Sequence, residues 1–354
     1  MKSGGNKMAK AKSKADNVKI IVNYIETLVK TPSPTGYTRK VVDYLVKNAK
    51  EKGIEHEVTR KGAVIYKFGT GIAKTKTMLS VHVDTLGAIV KRVEKKRIWF
   101  DCIGGYPPEY VVGNYCTIHA FDGSEIPGTI LPVNPSTHVN KDLKDSKFKW
   151  EDLAIRADLK LRNEKDGFDK HMRVGDFVSF DPNYSFINGF VKSRHLDDKA
   201  SASILLTIAD ILSEKNSPKL KSDFLFFFNV TEETGQGIAG YPDIDNLLVV
   251  DMGAVGEGLT GDEFSVSICA KDSTGPYNFD FRRELTNICV KNRIPHKIDI
   301  FPFYGSDGSG ALNAGRDIRV ALIGPGVGAS HGYERTHVDS LMGVYNLVIR
   351  YILG

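Results

Sequence analysis

Apolar positions recur with helical spacing at the start of the chain. Ile21, Tyr24, Ile25, Leu28 and Val29 share one face of a helix predicted over 19–30, and a second amphipathic helix is predicted over about 38–52. The turn-rich stretch Thr31-Pro32-Ser33-Pro34-Thr35-Gly36 separates them. The period then shortens to that of strands, at 56–59, 63–68 and 77–83. From 89 to about 190 the pattern is one of short strands bounded by turn residues, at 98–102, 115–120, 128–131 and 177–181, with one short helical piece near 150–156. Beyond this, helices are predicted at 199–212, 277–292 and 340–353. Strands are predicted at 224–230, 247–250, 265–269, 298–301 and 318–323. The run from Phe224 to Val230 is rich in apolar residues throughout, as expected of a strand covered on both faces.

This order predicts an α/β fold with a mixed, mostly parallel sheet sandwiched between helices. Residues 18–88 and 190–354 form that body. Residues 89–189 read as an inserted β-rich domain of ordinary size, and residues 1–17 as a flexible basic tail.

Composition adds few constraints. The net charge of +5 over 354 residues is mild, and five lysines (Lys2, Lys7, Lys10, Lys12, Lys14) lie in the tail. The rest is near balance, so no nucleic-acid partner is expected. No apolar run is long enough to span a bilayer, so no membrane partner is expected either. The N-terminus lacks the apolar core of a secretion signal, which makes the cytoplasm the expected location. Cys102, Cys116, Cys269 and Cys289 form no C-x-x-C pair and read as reduced, mostly buried thiols.

The candidate chemistry sits where predicted strands end. His82 and Asp84, in Ser80-Val81-His82-Val83-Asp84, are two apart and so face the same side of a strand, where an imidazole can hold a metal and a carboxylate can orient it. Four more segments bring acids or imidazoles to the same rim: His195-Leu196-Asp197-Asp198, Thr231-Glu232-Glu233-Thr234-Gly235, Val250-Asp251-Met252-Gly253, and the run from Ser330 to His337. Singly, each has an ordinary alternative: Asp197 and Asp198 as helix caps, Glu232 and Glu233 as a solvated turn, Asp251 as a turn acid. Together they would crowd one sheet edge with charge of one sign, which divalent cations would relieve. Oxygen and imidazole donors suit zinc, cobalt or manganese. Of Glu232 and Glu233, one can hold metal while the other stays free as a base.

In order and spacing, this series resembles the co-catalytic metallo-aminopeptidases of family forty-two, which contains glutamyl aminopeptidases and the tetrahedral, TET-type peptidases. The motifs are His-x-Asp, Leu-Asp-Asp, Glu-Glu, Val-Asp and a late His, with Val174-Gly175-Asp176-Phe177-Val178 in the insertion. The resemblance implies a zinc-exopeptidase-like fold and two divalent metal ions per subunit, zinc or cobalt, with manganese as a further option. It implies His82 and Asp251 on one ion, Glu233 and His331 on the other, and Asp197 between them. Glu232 would be the general base, and Asp84 would orient His82. Ser306 and Asp307, in Gly305-Ser306-Asp307-Gly308, would lie near the substrate. The insertion would mediate dimerisation, and dimers would assemble into dodecamers. The last motif departs from the family's Tyr-Met/Ile-His-Ser/Thr-Pro. His331 and His337 compete for the ligand role. His331 keeps the distance to the final helix without a gap, which leaves His337 to contact substrate or to start the helix.

The implied activity is hydrolysis of N-terminal residues from a peptide substrate. Three readings stand beside it: a related dimetal carboxypeptidase or deacylase, a non-enzymatic metal-binding scaffold, and a glycosidase. The last is disfavoured because glycosidase carboxyls flank the scissile bond at ~5–9.5 Å, an arrangement that neighbouring Glu232 and Glu233 do not suggest.

Overall fold

The strand Lys76–His82 lies at the centre of the catalytic body, between Asp223–Asn229 and Asn246–Val250 and parallel to both. In this computed structural model, which describes residues 13–71, 73, 75–94, 97–145, 147–161, 167–238 and 243–354, these strands belong to a twelve-stranded mixed sheet. Arg319–Gly328 continues the parallel set beyond Asn246–Val250. Antiparallel Val64–Phe68 and His56–Val58 close one side; Glu334–His337, Phe190–Ser193 and Ser185–Ile187 extend the other. Phe224, Phe226 and Phe228 are fully buried, as a doubly covered strand requires.

The helix Leu196–Leu212 crosses the sheet on a run of small residues, Ala200 to Ser203, all fully buried. Lys199 lies within this run. It is also fully buried, and its ammonium donates to the carbonyls of Leu28 and Thr31 at 2.8 and 2.9 Å. Burial lowers its pKa to about 7. The first helix begins earlier than its apolar pattern predicts, at Lys14 rather than 19. Ser13 and Asp16 form a reciprocal capping box there, so residues 13–17 are not tail. Lys2, Lys7, Lys10 and Lys12 lie outside the described residues.

The β-rich insertion is a closed barrel in the order Gly87–Glu94, Arg97–Ile103, Leu153–Ala157, Glu125–Pro132, Tyr115–His119, Phe177–Phe180. It has its own core of Ala88, Val90, Ile98, Phe100, Ile118, Ile130, Ile155 and Val178. The Val174–Val178 phrase turns the chain into the last barrel strand. Gly175 takes a positive φ of 97°, and Asp176 accepts the N–H groups of Arg173 and Phe121. Two expectations change. The piece at 150–156 is a single turn, Trp150–Asp152, followed by the strand Leu153–Ala157. The insertion ends near 181 rather than 189, because Ser185–Ile187 pairs into the main sheet. Cys116, Cys269 and Cys289 are buried and all four cysteines are free. Among the described residues no helix is long and apolar enough to cross a membrane.

Candidate active site

Four neighbouring parallel strands end on one rim of the sheet, and that rim gathers the acids and imidazoles. His82 closes Lys76–His82, with Asn229 beside it in register; two residues after Asn229 the chain enters the turn Glu232–Thr234. Asp251 follows Asn246–Val250. Asp197 stands in the first turn of Leu196–Leu212, where the backbone of Asp197 and Asp198 is not yet helical. His331 lies in the loop after Arg319–Gly328, in the left-handed region at φ 64°.

Asp197 is at the centre of the cluster. His82 Nε2 lies 3.0 Å from its Oδ1, and His331 Nε2 lies 3.5 Å from its Oδ2. Beyond them, Glu232 Oε2 is 3.7 Å from His82 Nε2, and Glu233 Oε2 is 3.8 Å from His331 Nε2. His82, Asp197 and Asp251 each present one donor atom, all within 4.8 Å of one another, which makes them a candidate metal triad.

Three groups hold this cluster in place. The Asp84 carboxylate accepts the main-chain N–H groups of Glu232 and Glu233 at 3.2 and 3.3 Å, and the Thr35 hydroxyl at 2.7 Å. Its expected contact with His82 is made mainly by its carbonyl oxygen, 3.1 Å from Nδ1, while its carboxylate is 3.6 Å away. Asp198 Oδ2 accepts the His82 main-chain N–H at 3.1 Å. Glu334, fully enclosed, accepts the N–H of Asp197 on one oxygen and that of His331 on the other, at 3.1 and 2.9 Å. The sequence reading missed Glu334. The ring of His331 is fixed from outside the sheet, where its Nδ1 meets the carbonyl of Gly105 in a barrel loop.

Electrostatics give the site its character. Burial, reinforced by neighbouring acids, pushes Asp251 to about 7 and Glu233 to about 8, and Glu232 well above its ordinary value. Burial and the Asp197 charge raise Glu334 to about 8. Asp197 goes the other way: burial would raise it, but hydrogen bonds from His331 and His82 hold it below the usual carboxylate range. Burial would neutralise His82, yet Asp197 and Asp84 hold its pKa well above normal. Carboxylates forced to keep protons by burial and mutual repulsion, beside two imidazoles, are a donor set that fits a divalent cation.

A cavity of about 940 Å³ opens over the cluster. Asp197, Glu232, Glu233, Asp251 and His331 line it on the sheet side, and Gly105 and Tyr110 line it from the barrel. Ser306 faces this cavity, as expected of a substrate neighbour. Asp307 does not. Ser306 caps the helix Asp307–Asn313, and the Asp307 carboxylate turns inward to Ser80 and Asn229. Nor does His337 reach the cavity. It packs against Phe190 and Phe264 and caps the last helix by accepting the N–H of Asp339. Of the two competing histidines, the rim therefore holds His331. His195 is also apart: it is buried, and burial holds its imidazole neutral.

The comparisons with known proteins agree with this geometry. The sequence model of the family described as "M42 glutamyl aminopeptidase" matches residues 62–347. The Bacillus subtilis (strain 168) protein named "Putative aminopeptidase YhfE" is 41% identical over 341 residues, covering 95% of this chain and 98% of that protein. Among solved structures, a TET aminopeptidase from a marine sediment archaeon, Thaumarchaeota archaeon SCGC AB-539-E09, superposes with a TM-score of 0.83 at 19% identity, over 94% of this chain and 96% of its own. Pyrococcus horikoshii TET1 peptidase, described as able to assemble into a tetrahedron or a large octahedral shell, superposes with a TM-score of 0.82 at 21% identity, over 94% and 99%.

Proposed function

Because the chain belongs to the M42 glutamyl aminopeptidase family and is thus a peptide-bond hydrolase, we propose that it releases N-terminal residues from peptides at a centre for two divalent cations, with Glu232 as general base. His82 and Asp251 would hold one cation and Glu233 and His331 the other, with Asp197 between them. The donor set suits zinc or cobalt and admits manganese. When bound, such a pair supplies Lewis acidity to the scissile carbonyl and to water.

The chain's own residues supply the rest. Glu232 takes a proton from the attacking water as the new C–O bond forms, and gives it to the amide nitrogen as the C–N bond breaks. Its raised proton affinity, set by burial first, makes it a stronger base than a solvated carboxylate. Asp84 holds the main chain of Glu232 and Glu233, so base and ligand keep a fixed separation. The barrel loop with Gly105 and Tyr110 covers the cavity from the far side and limits water.

The observation that carries this reading is the convergence of side chains from distant parts of the sequence on Asp197, with a spare glutamate beside each imidazole. The test is a panel of chromogenic amino-acid anilides, run on metal-stripped protein with zinc, cobalt or manganese added back. Free-amine anilides should be hydrolysed only after metal is restored, and N-acetylated ones should resist. Faster cleavage of the blocked substrates would point instead to a deacylase or carboxypeptidase. By extension from the TET1 relative, the barrel is the surface through which subunits would pair and build larger shells, which light scattering would read as mass.

A further inference from the structure

Beyond the acid cluster, the floor of the cavity is made of hydroxyl groups, and their protons all point the same way. Ser306, Ser309 and Thr274 line the cavity; Asp272 lies directly behind them, almost fully buried. One oxygen of Asp272 accepts the Thr274 hydroxyl at 2.7 Å, with the N–H groups of Thr274 and Gly275 at 2.9 and 3.2 Å. The other accepts the hydroxyls of Ser309 and of Tyr277, the latter at 2.8 Å. Tyr277 has only one hydroxyl proton and gives it to Asp272. The 2.8 Å contact between Tyr277 and Ser306 must therefore carry the proton of Ser306.

Every hydroxyl on this floor thus sends its proton inward, and what remains toward the cavity is lone pairs. Burial alone would raise the pKa of Asp272, but its hydrogen bonds from Ser309, Thr274 and Tyr277 outweigh that, and it stays an anion. Among the described residues no lysine or arginine lines the cavity. The adjacent Lys271 spends its ammonium on the Asp272 carbonyl oxygen, 2.8 Å away. The remaining lining includes Tyr110, Tyr304 and the strongly exposed Phe303, whose rings offer cation-binding faces. An acceptor-only floor over a buried anion, with aromatic rings nearby, repels a carboxylate and welcomes a donor that carries positive charge.

We propose that this cavity selects peptides whose first residue is lysine or arginine, with Asp272 as the specificity-determining residue, in contrast to the glutamyl preference in the family's description. The proposal rests on the aminopeptidase reading above. Its test compares kcat/KM of the metal-loaded enzyme on lysyl, arginyl, norleucyl, leucyl and glutamyl anilides, norleucine being close to lysine in shape without the charge. The lysyl and arginyl substrates should exceed norleucyl by on the order of tenfold or more, and glutamyl should be poorest. Asp272→Asn should bring the lysyl-to-norleucyl ratio toward one, mainly through KM. If that variant does not fold, Thr274→Val, which removes one inward-pointing hydroxyl, should lower the same ratio. Glutamyl cleavage equal to or faster than lysyl overturns the proposal. So does an equal fall on all substrates, which would assign Asp272 to the N-terminal ammonium or to the fold. Leucyl turnover without a lysyl preference removes this proposal alone; no turnover of any anilide with metal present removes the aminopeptidase reading as well.

Discussion

Glu334 Oε2 accepts the main-chain N–H of Asp197 at 3.1 Å, while its other oxygen takes that of His331. One buried side chain therefore sets the spacing between the central carboxylate and an imidazole that flanks it. In Glu334→Gln one acceptor becomes an NH2 group facing an N–H. The expected loss is ~1–3 kcal/mol of stability and roughly 10–100-fold in metal affinity. Calorimetric titration of zinc into the stripped variant measures the second quantity directly; an affinity equal to wild type would reduce Glu334 to a packing residue.

Glu232 lies 3.7 Å from His82 yet is assigned no metal. Its replacement by glutamine should cut kcat by about 10²–10⁴ while metal content, read by mass spectrometry, stays at the wild-type level. Turnover near wild type would take the base role away from it.

The two histidines of the last motif should behave differently. His331→Ala should lower metal stoichiometry and abolish most activity. His337→Ala removes a helix cap, costs about 1 kcal/mol, and should leave turnover intact at temperatures where the variant is folded. Metal analysis and thermal melts on both variants separate the two; metal loss in the second and not the first would reverse the assignment.

Metal affinity should depend on pH with a fixed sign. Burial and neighbouring charge hold Asp251 at about 7 and Glu233 at about 8. Only the deprotonated carboxylate can take a cation, so below these values protons compete with metal. Burial would lower the pKa of His331, but its contact with Asp197 raises it to about 10, which acts in the same direction. Affinity measured against a chromogenic chelator should therefore tighten as pH rises from about 6 to about 8. A flat profile would mean that these groups are already ionised in the stripped protein.

Much of this site was legible in the sequence because its residues sit at the ends of strongly apolar strands. Once Phe224–Val230 and the run to Val83 are read as strands, the positions of His82 and Glu232 follow from topology. What was not legible acts through the main chain or through the facing of a side chain. Glu334 holds backbone N–H groups, and nothing in its spacing from His331 marks an acid that does so. Ser306 and Asp307 are neighbours with opposite facings, and the cap that Ser306 makes decides which of them meets the cavity. The barrel strands Gly87–Glu94 and Leu153–Ala157 were obscured for a similar reason. Each small barrel strand buries only part of its length, so its apolar signal is short and uneven.

The carbonyl of Gly105 touches the Nδ1 of His331, and so a loop of the insertion decides which nitrogen of that ring faces Asp197. Tautomer choice in one body has been delegated to the other. Any tilt of the barrel would swing that imidazole, so forces applied to the barrel's outer wall by a neighbouring molecule are mechanically linked to the chemistry at the sheet edge. The insertion works as a lever on the catalytic rim, and exchanging it for a relative's version would detune the centre even with every ligand in place.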